Sequence, residues 1–252
     1  PLYHCFGMVL GTLACCAAGA TMIYPSEGFE PDKTMHALKS ESCTAVHGVP
    51  TMFSAMLASS EFDGKPIKSL RTGIMAGSQC PEVLMRRVLY DLGCSEITIA
   101  YGMTETSPIS FQSDVNDPVD VRVSTVGRIQ PHCEVKIVED DGSTCAVGQT
   151  GELWTKGYLV MKGYWNDTEA TQSSIENGWM KTGDLATIDN EGFCRIVGRK
   201  KDMVIRGGEN IYPAELEEFL TAQKGILEAH VFGIPDEKFG EQLVALSLIH
   251  IS

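Results

Sequence analysis

Apolar positions in residues 1–100 follow two alternating periods. Residues 43–49 form a short apolar run of strand character, and Pro50 then opens a helix carrying Phe53, Met56 and Leu57 on one face. Residues 71–75 read as the next strand, ending in Ala76-Gly77-Ser78. Pro81 opens a second helix with Leu84, Val88 and Leu92 along one stripe, and residues 96–100 form a third strand. Strand, helix, strand, helix with short turns predicts a parallel α/β sheet. Such sheets take their ligands outside the carboxyl ends of the strands, which here are Ala76-Gly77-Ser78 and Tyr101-Gly102.

From Val126 the pattern changes to short strands and tight turns. Residues 126–129, 134–138 and 151–154 read as antiparallel strands, with a turn at Asp140-Asp141-Gly142. Gly157-Tyr158 and residues 163–166 continue that pattern, and Asp184 is expected in the exposed turn that follows. Gly207-Gly208 gives a backbone free to adopt positive φ. Pro213 begins a helix with Glu215, Glu217 and Glu218 in its first turns, where the helix dipole favours negative charge. Strands are expected at 229–234 and 243–251. The apolar stretch 8–22 is interrupted by Gly11 and Gly19 and falls short of the ~18–20 uniformly apolar residues of a membrane span, so it reads as a buried segment.

Composition narrows the class. With 252 residues, 43% hydrophobic and 21% charged, the chain is an ordinary globular one holding one large domain or slightly more. A net charge of −13 argues against a general nucleic-acid or anionic-membrane surface, yet allows phosphate binding through local amides, a few cations and a divalent metal. The nine cysteines are scattered without a C-x-x-C, which suits reduced, buried thiols better than disulfides or zinc. The six histidines show no metal-ligand spacing either.

Two stretches concentrate chemistry. In YGMTETSP (101–108) a strand end supplies a ring at Tyr101 that can stack on a purine, a Thr104 hydroxyl for a phosphate oxygen, and a Glu105 carboxylate as a hard ligand for Mg²⁺. A polar loop with turn-capping threonines is the plainer reading of T-E-T alone. The second stretch brings together Asp184 in T-G-D-L, the basic run Arg199-Lys200-Lys201 and the glycine pair Gly207-Gly208.

Y-G-x-T-E at 101–105, T-G-D-L, G-R-x-K-D at 198–202 and G-G-E-N-I-Y-P-A-E-L-E from Gly207 together resemble the adenylate-forming superfamily of acyl-CoA synthetases, luciferases and peptide-synthetase adenylation domains. Within it the chain is most similar to fatty acyl-CoA synthetases of the medium-chain type. The resemblance implies ATP, Mg²⁺ and CoA as co-reactants and a fatty acid as substrate. It implies an α/β fold with a parallel-sheet large domain (1–125), a β-barrel-like subdomain (126–198), and a hinge with the start of a small α+β C-terminal domain (199–252).

By the same resemblance Gly77, Ser78 and Gln79 line the adenine, and Tyr101, Gly102, Thr104 and Glu105 hold the adenine, α-phosphate and metal. Asp184 accepts from both ribose hydroxyls, a task that suits a carboxylate facing a vicinal diol, and Arg199 joins it. Lys201 is the hinge residue, Gly207 and Gly208 flank the thiol's approach, and His4 lies near the reacting carboxylate. The apolar 6–22 stretch suits an acyl tunnel and a core helix equally.

The superfamily's phosphate loop and C-terminal lysine have no counterpart in this sequence. Pro1-Leu2 reads as a start inside a fold, and the ending LSLIHIS fits either a strand or a read-through. Residues 1–252 by themselves are therefore expected to turn over weakly or not at all. The expected setting is intracellular, with the cytoplasm ahead of the mitochondrial matrix. Two other readings stand beside the fatty acid–CoA ligase: an aryl-acid ligase or carrier-loading adenylation domain, and a non-catalytic nucleotide- or acyl-binding module.

Overall fold

The computed structural model describes residues 1–236 and 238–249. The chain divides into two compact units, Pro1–Glu134 with Thr155–Met180, and Val135–Trp154 with Lys181–Ser252. The first unit opens with a π-helical stretch, Phe6–Leu13, running into α1 (Ala14–Ala18) and followed by α2 (Pro31–Ser40). Then come β1 (Ala45–Gly48), α3 (Pro50–Leu57), β2 (Thr72–Ala76), α4 (Glu82–Tyr90) and β3 (Glu96–Gly102).

Pro50 and Pro31 each stand in the first turn of their helix, where the missing N–H is an orphan donor anyway. Phe53 and Met56 on α3 are fully buried, as are Met85 and Val88 on α4. They pack with Leu84, Leu92 and Ile97 into one core beside the strands. Each such side chain contributes about 1.5–3 kcal/mol by burial.

β1, β2 and β3 run parallel in tight register, Ala45 opposite Thr72 and Thr72 opposite Glu96. The expected α/β alternation is therefore borne out. A 3-10 turn at Thr104–Thr106 reverses the chain into β4 (Ile109–Gln112), antiparallel to β3. After α5 (Val119–Ser124), β5 (Arg128–Ile129) pairs antiparallel with β4 and closes the five-stranded order β1-β2-β3-β4-β5.

Of residues 126–129, Arg128 and Ile129 thus belong to the first sheet and not to the following β region, contrary to the sequence expectation. Gly127 explains the seat: at φ +78, any Cβ there would overlap the carbonyl of Gln112 on β4. Only a glycine lets the two backbones meet so closely.

A second sheet, ordered β10-β9-β7-β6, comprises β6 (Cys133–Val138), β7 (Gly151–Gly157), β9 (Trp179–Ile188) and β10 (Cys194–Arg199). α6 (Thr168–Ser174) and β8 (Ile175–Glu176) precede β9, and β8 pairs with it. Residues 163–166 lie in a loop and carry only an isolated bridge from Tyr164 to Asp167, so the β pattern does not continue through them.

In the second unit, β11 (Val204–Arg206) and β12 (Glu209–Ile211) form a hairpin. α7 (Pro213–Thr221), β13 (Ile226–Asp236) and β14 (Gly240–Ile249) follow, in the sheet order β12-β11-β14-β13. The strand expected at 243–251 begins earlier, at Gly240, and its residues 250–251 lie outside the described residues. Glu215 sits in the first turn of α7, whereas the Glu217 carboxylate accepts a 2.8 Å hydrogen bond from the Val231 N–H and ties α7 to β13.

The apolar 6–18 segment is helical but not buried: none of its residues is enclosed, and Met8 and Leu13 are 44% and 53% exposed. Apolar composition states a preference for cover, and whether neighbours supply it is a property of packing. All nine cysteines are free thiols, with Cys94 and Cys194 buried and their thiols pushed up to about 12 by desolvation. Among the described residues no three His, Cys, Asp or Glu side chains form a metal cluster, and no helix is long and apolar enough to cross a membrane.

Candidate functional site

The register of β2 against β3 pairs Ala76 with Ala100, so the residues just past those positions emerge side by side. Gly77, Ser78 and Gln79 are exposed after β2, with Gly77 at φ +91 and Val49 Cγ1 3.0 Å from where a Cβ would sit. Tyr101, half-buried, stacks edge-on against Phe111 of β4 with centroids 6.2 Å apart. The sequence thus places both loops at one end of the parallel sheet.

Gly102 answers first to the backbone. A Cβ there would overlap the Pro108 carbonyl where β4 turns back along β3. Gly102→Ala is expected to destabilise the protein by about 2–3 kcal/mol through this overpacking. Chemical unfolding of wild type and variant measures it. A variant with unchanged stability and weakened nucleotide affinity would instead make Gly102 a ligand contact.

The Thr104–Thr106 turn is braced from within. Thr106 is buried, its hydroxyl lies 3.1 Å from both the Met103 and Pro108 carbonyls, which share its one proton, and it accepts from the Met103 N–H at 3.2 Å. Thr104 is exposed and its hydroxyl lies 3.5 Å from the Cys5 Sγ. His4 stands beside Cys5, but its Nδ1 accepts from the Phe6 N–H at 3.1 Å and so caps the start of the following helical stretch.

Glu105 is half-buried and held by residues that sequence reasoning did not connect to it. Its Oε1 accepts from the Tyr164 hydroxyl at 2.8 Å, and its main-chain carbonyl accepts from the Met161 N–H at 2.9 Å. Burial, and then the bond to the Glu105 carboxylate, raises the Tyr164 phenol above its usual value. No spacing rule links positions 59 apart, so nothing in the sequence pattern pointed to this contact.

In the second unit, Asp184 is inside strand β9 and only 7% exposed, not in the exposed turn that the preceding glycine suggested. Gly183 takes φ +72 within β9, immediately before the residues from Asp184 onward that pair with β10. That pairing sets Arg199 directly opposite Asp184, with Arg199 Nε 3.2 Å from Asp184 Oδ1.

The Asp184 backbone N–H donates to Thr182 Oγ1 at 3.1 Å, and the Thr182 hydroxyl donates to the Leu153 carbonyl at 2.7 Å. Glu152, another residue missed in the sequence, accepts from the Gly183 N–H at 3.2 Å and from Lys200 Nζ at 3.4 Å. Asp140, 2.8 Å from the same Nζ, and Glu152 hold the Lys200 ammonium above its ordinary value.

Lys201 is exposed in a three-residue 3-10 turn, Lys200–Asp202, between extended Arg199 and Met203. Gly207 and Gly208 form the two-residue turn of the β11–β12 hairpin with φ +62 and +88, as the sequence anticipated. Of the two primed hairpin turns, type I′ is the one that requires both positive values, so the turn by itself explains two glycines.

A family described as AMP-binding enzyme matches residues 1–165. YngI of Bacillus subtilis is 53% identical over 249 residues, covering 97% of this chain and 45% of YngI. The mitochondrial medium-chain acyl-CoA ligase ACSF2 of Danio rerio is 45% identical, covering 97% of this chain and 41% of the ligase. The chain thus spans less than half the length of these curated relatives. Among solved structures, the o-succinylbenzoate CoA synthetase MenE of Bacillus subtilis, in complex with its acyl-adenylate intermediate, superposes with a TM-score of 0.87 at 32% identity, covering 100% of this chain and 50% of that one. These similarities bear out the resemblance read from the motifs.

Proposed function

The chain belongs to the AMP-binding enzyme family, and on that premise we propose that it is part of an ATP-dependent acyl-CoA synthetase that activates a fatty acid as acyl-AMP and passes the acyl group to CoA. The family match over residues 1–165, with Thr104 and Glu105 on a braced turn at the carboxyl end of β3, carries this reading. The medium-chain ligase named among the relatives supports an alkyl substrate. The aryl-acid alternative is kept by MenE, whose o-succinylbenzoate is an aryl acid.

The first step joins a carboxylate oxygen to the α-phosphorus of ATP and breaks the bond to the bridging oxygen, so pyrophosphate leaves. In this reading Gly77, Ser78, Gln79 and the Tyr101 ring line the base, with Gly102 shaping the loop, and the Thr104 hydroxyl donates to an α-phosphate oxygen. Asp184 accepts from the ribose diol, with Arg199 fixing its carboxylate.

A single carboxylate beside substrate phosphates fits Mg²⁺, which keeps most of its waters and seldom has an all-protein cage. Glu105 would hold it through the oxygen that does not accept from Tyr164. Bound there, the ion would offset the charge that develops on the phosphate oxygens.

In the second step the CoA sulfur attacks the acyl carbonyl and AMP leaves. Lys201 serves as the hinge that exchanges the partners of the two steps, and the Gly207-Gly208 turn keeps the thiol's path free of side chains. His4, next to the Cys5 whose thiol meets Thr104, would lie near the reacting acyl end. The proposed domains are 1–125, 126–198 and 199–252, with β5 the piece of the second that pairs into the sheet of the first, and the proposed setting is intracellular. A relative named mitochondrial supports the matrix as one such setting.

The test supplies a full-length protein containing this chain with ATP, CoA and either straight-chain fatty acids or aryl acids. AMP, pyrophosphate and acyl-CoA from fatty acids are expected. Aryl-CoA alone would select the alternative, and ADP with phosphate would overturn the mechanism.

A further inference from the structure

The turn that carries Glu105 has three residues, too few to fix the direction of its own side chain. The direction is instead set by the loop 161–164. Met161 grips the Glu105 main chain and Tyr164 grips Oε1, at 2.9 and 2.8 Å.

Tyr164 is itself held. Its N–H donates to Thr171 Oγ1 at 2.9 Å, and the Thr171 hydroxyl donates to the Asp167 carbonyl at 2.7 Å. Asp167 also caps α6 by accepting from the Ala170 N–H at 2.9 Å. Gly163, at φ +151, lets the chain pass so close to Thr171 that a Cβ would meet Thr171 Cγ2 at 2.8 Å. The phenol therefore reaches Glu105 from a capped and packed support rather than from a free loop.

A carboxylate with one oxygen committed to a phenol offers the other in one direction. Resting on the functional reading above, we propose that Tyr164 is a positioning residue that makes Glu105 a one-oxygen ligand aimed at the divalent cation accompanying the nucleotide. Hydrogen-bond partners of metal-binding carboxylates commonly govern affinity by about 10- to 100-fold.

The experiment measures Mn²⁺ binding by electron paramagnetic resonance in a full-length protein, with a non-hydrolysable ATP analogue present, for wild type, Tyr164→Phe, Glu105→Gln and the double variant. Thermal unfolding is recorded for each. Tyr164→Phe keeps the ring and removes one hydroxyl. It is expected to weaken Mn²⁺ binding about 10- to 100-fold, to leave metal-free nucleotide binding and the unfolding midpoint nearly unchanged, and to have no further effect on Glu105→Gln.

Unchanged Mn²⁺ affinity in Tyr164→Phe, an equal loss in the Glu105→Gln background, or a variant that unfolds would each overturn the proposal while leaving the functional reading intact. A wild-type protein that binds neither nucleotide nor metal would overturn both.

Discussion

Glu105→Gln, in a full-length protein, is expected to slow ATP–pyrophosphate exchange by about 10²- to 10³-fold, the usual effect of losing one oriented group at developing charge. The substitution is nearly isosteric, and its amide oxygen can still accept from the Tyr164 hydroxyl, which lies 2.8 Å from Oε1 in the wild type. The Met161 bond to the main-chain carbonyl is untouched by it. The turn therefore stays in place while the negative charge disappears. Stability should change by less than about 1 kcal/mol, since the side chain is only half-buried and fills no core. Exchange is measured across a Mg²⁺ titration, with unfolding monitored alongside. Wild-type exchange at limiting Mg²⁺ would reduce Glu105 to a turn residue.

Lys201→Pro is expected to separate the two half-reactions: pyrophosphate exchange close to wild type, thioester formation down by about 10²-fold or more, the scale on which misplaced reacting groups lose rate. Arg199 and Met203 are extended on either side of the three-residue turn, so the direction of the chain beyond it depends on very few torsions. A 3-10 φ is one that proline tolerates at position 201. The constraint falls on that torsion and on Lys200, whose helical conformation is disfavoured before proline.

Lys200 is meanwhile tied by Asp140 at 2.8 Å and Glu152 at 3.4 Å, so the start of the turn remains seated. The two steps are followed separately, by labelled pyrophosphate exchange and by acyl-CoA formation from preformed acyl-AMP. Equal loss in both, in a protein that melts like wild type, would remove support for the hinge.

The difference between these residues shows how the site was legible. Glu105 and Lys201 each sit in a motif of adjacent residues, so a window of a few positions exposes them. Tyr164 and Glu152 act on positions 59 and 31 residues away, and neither lies in a pattern that announces a partner. Asp184 was found as a carboxylate and misjudged as a turn residue, because a glycine's local freedom was weighed without the strand that pairs with it.

Local patterns were sufficient for the α/β alternation. Phe53 and Met56, and likewise Leu84 and Val88, fall on one face of a helix by period, and prolines at the helix starts restrict φ within a single residue. The positive φ of Gly207 and Gly208 follows from the same kind of one-residue preference. Tertiary structure alone decided that Arg128–Ile129 joins the first sheet, that Arg199 faces Asp184, and that Tyr164 reaches Glu105. Each of these depends on which distant segments meet. That choice is made by closing long loops against a shared core and a strand register, and the free energy involved belongs to the whole chain rather than to any window of it.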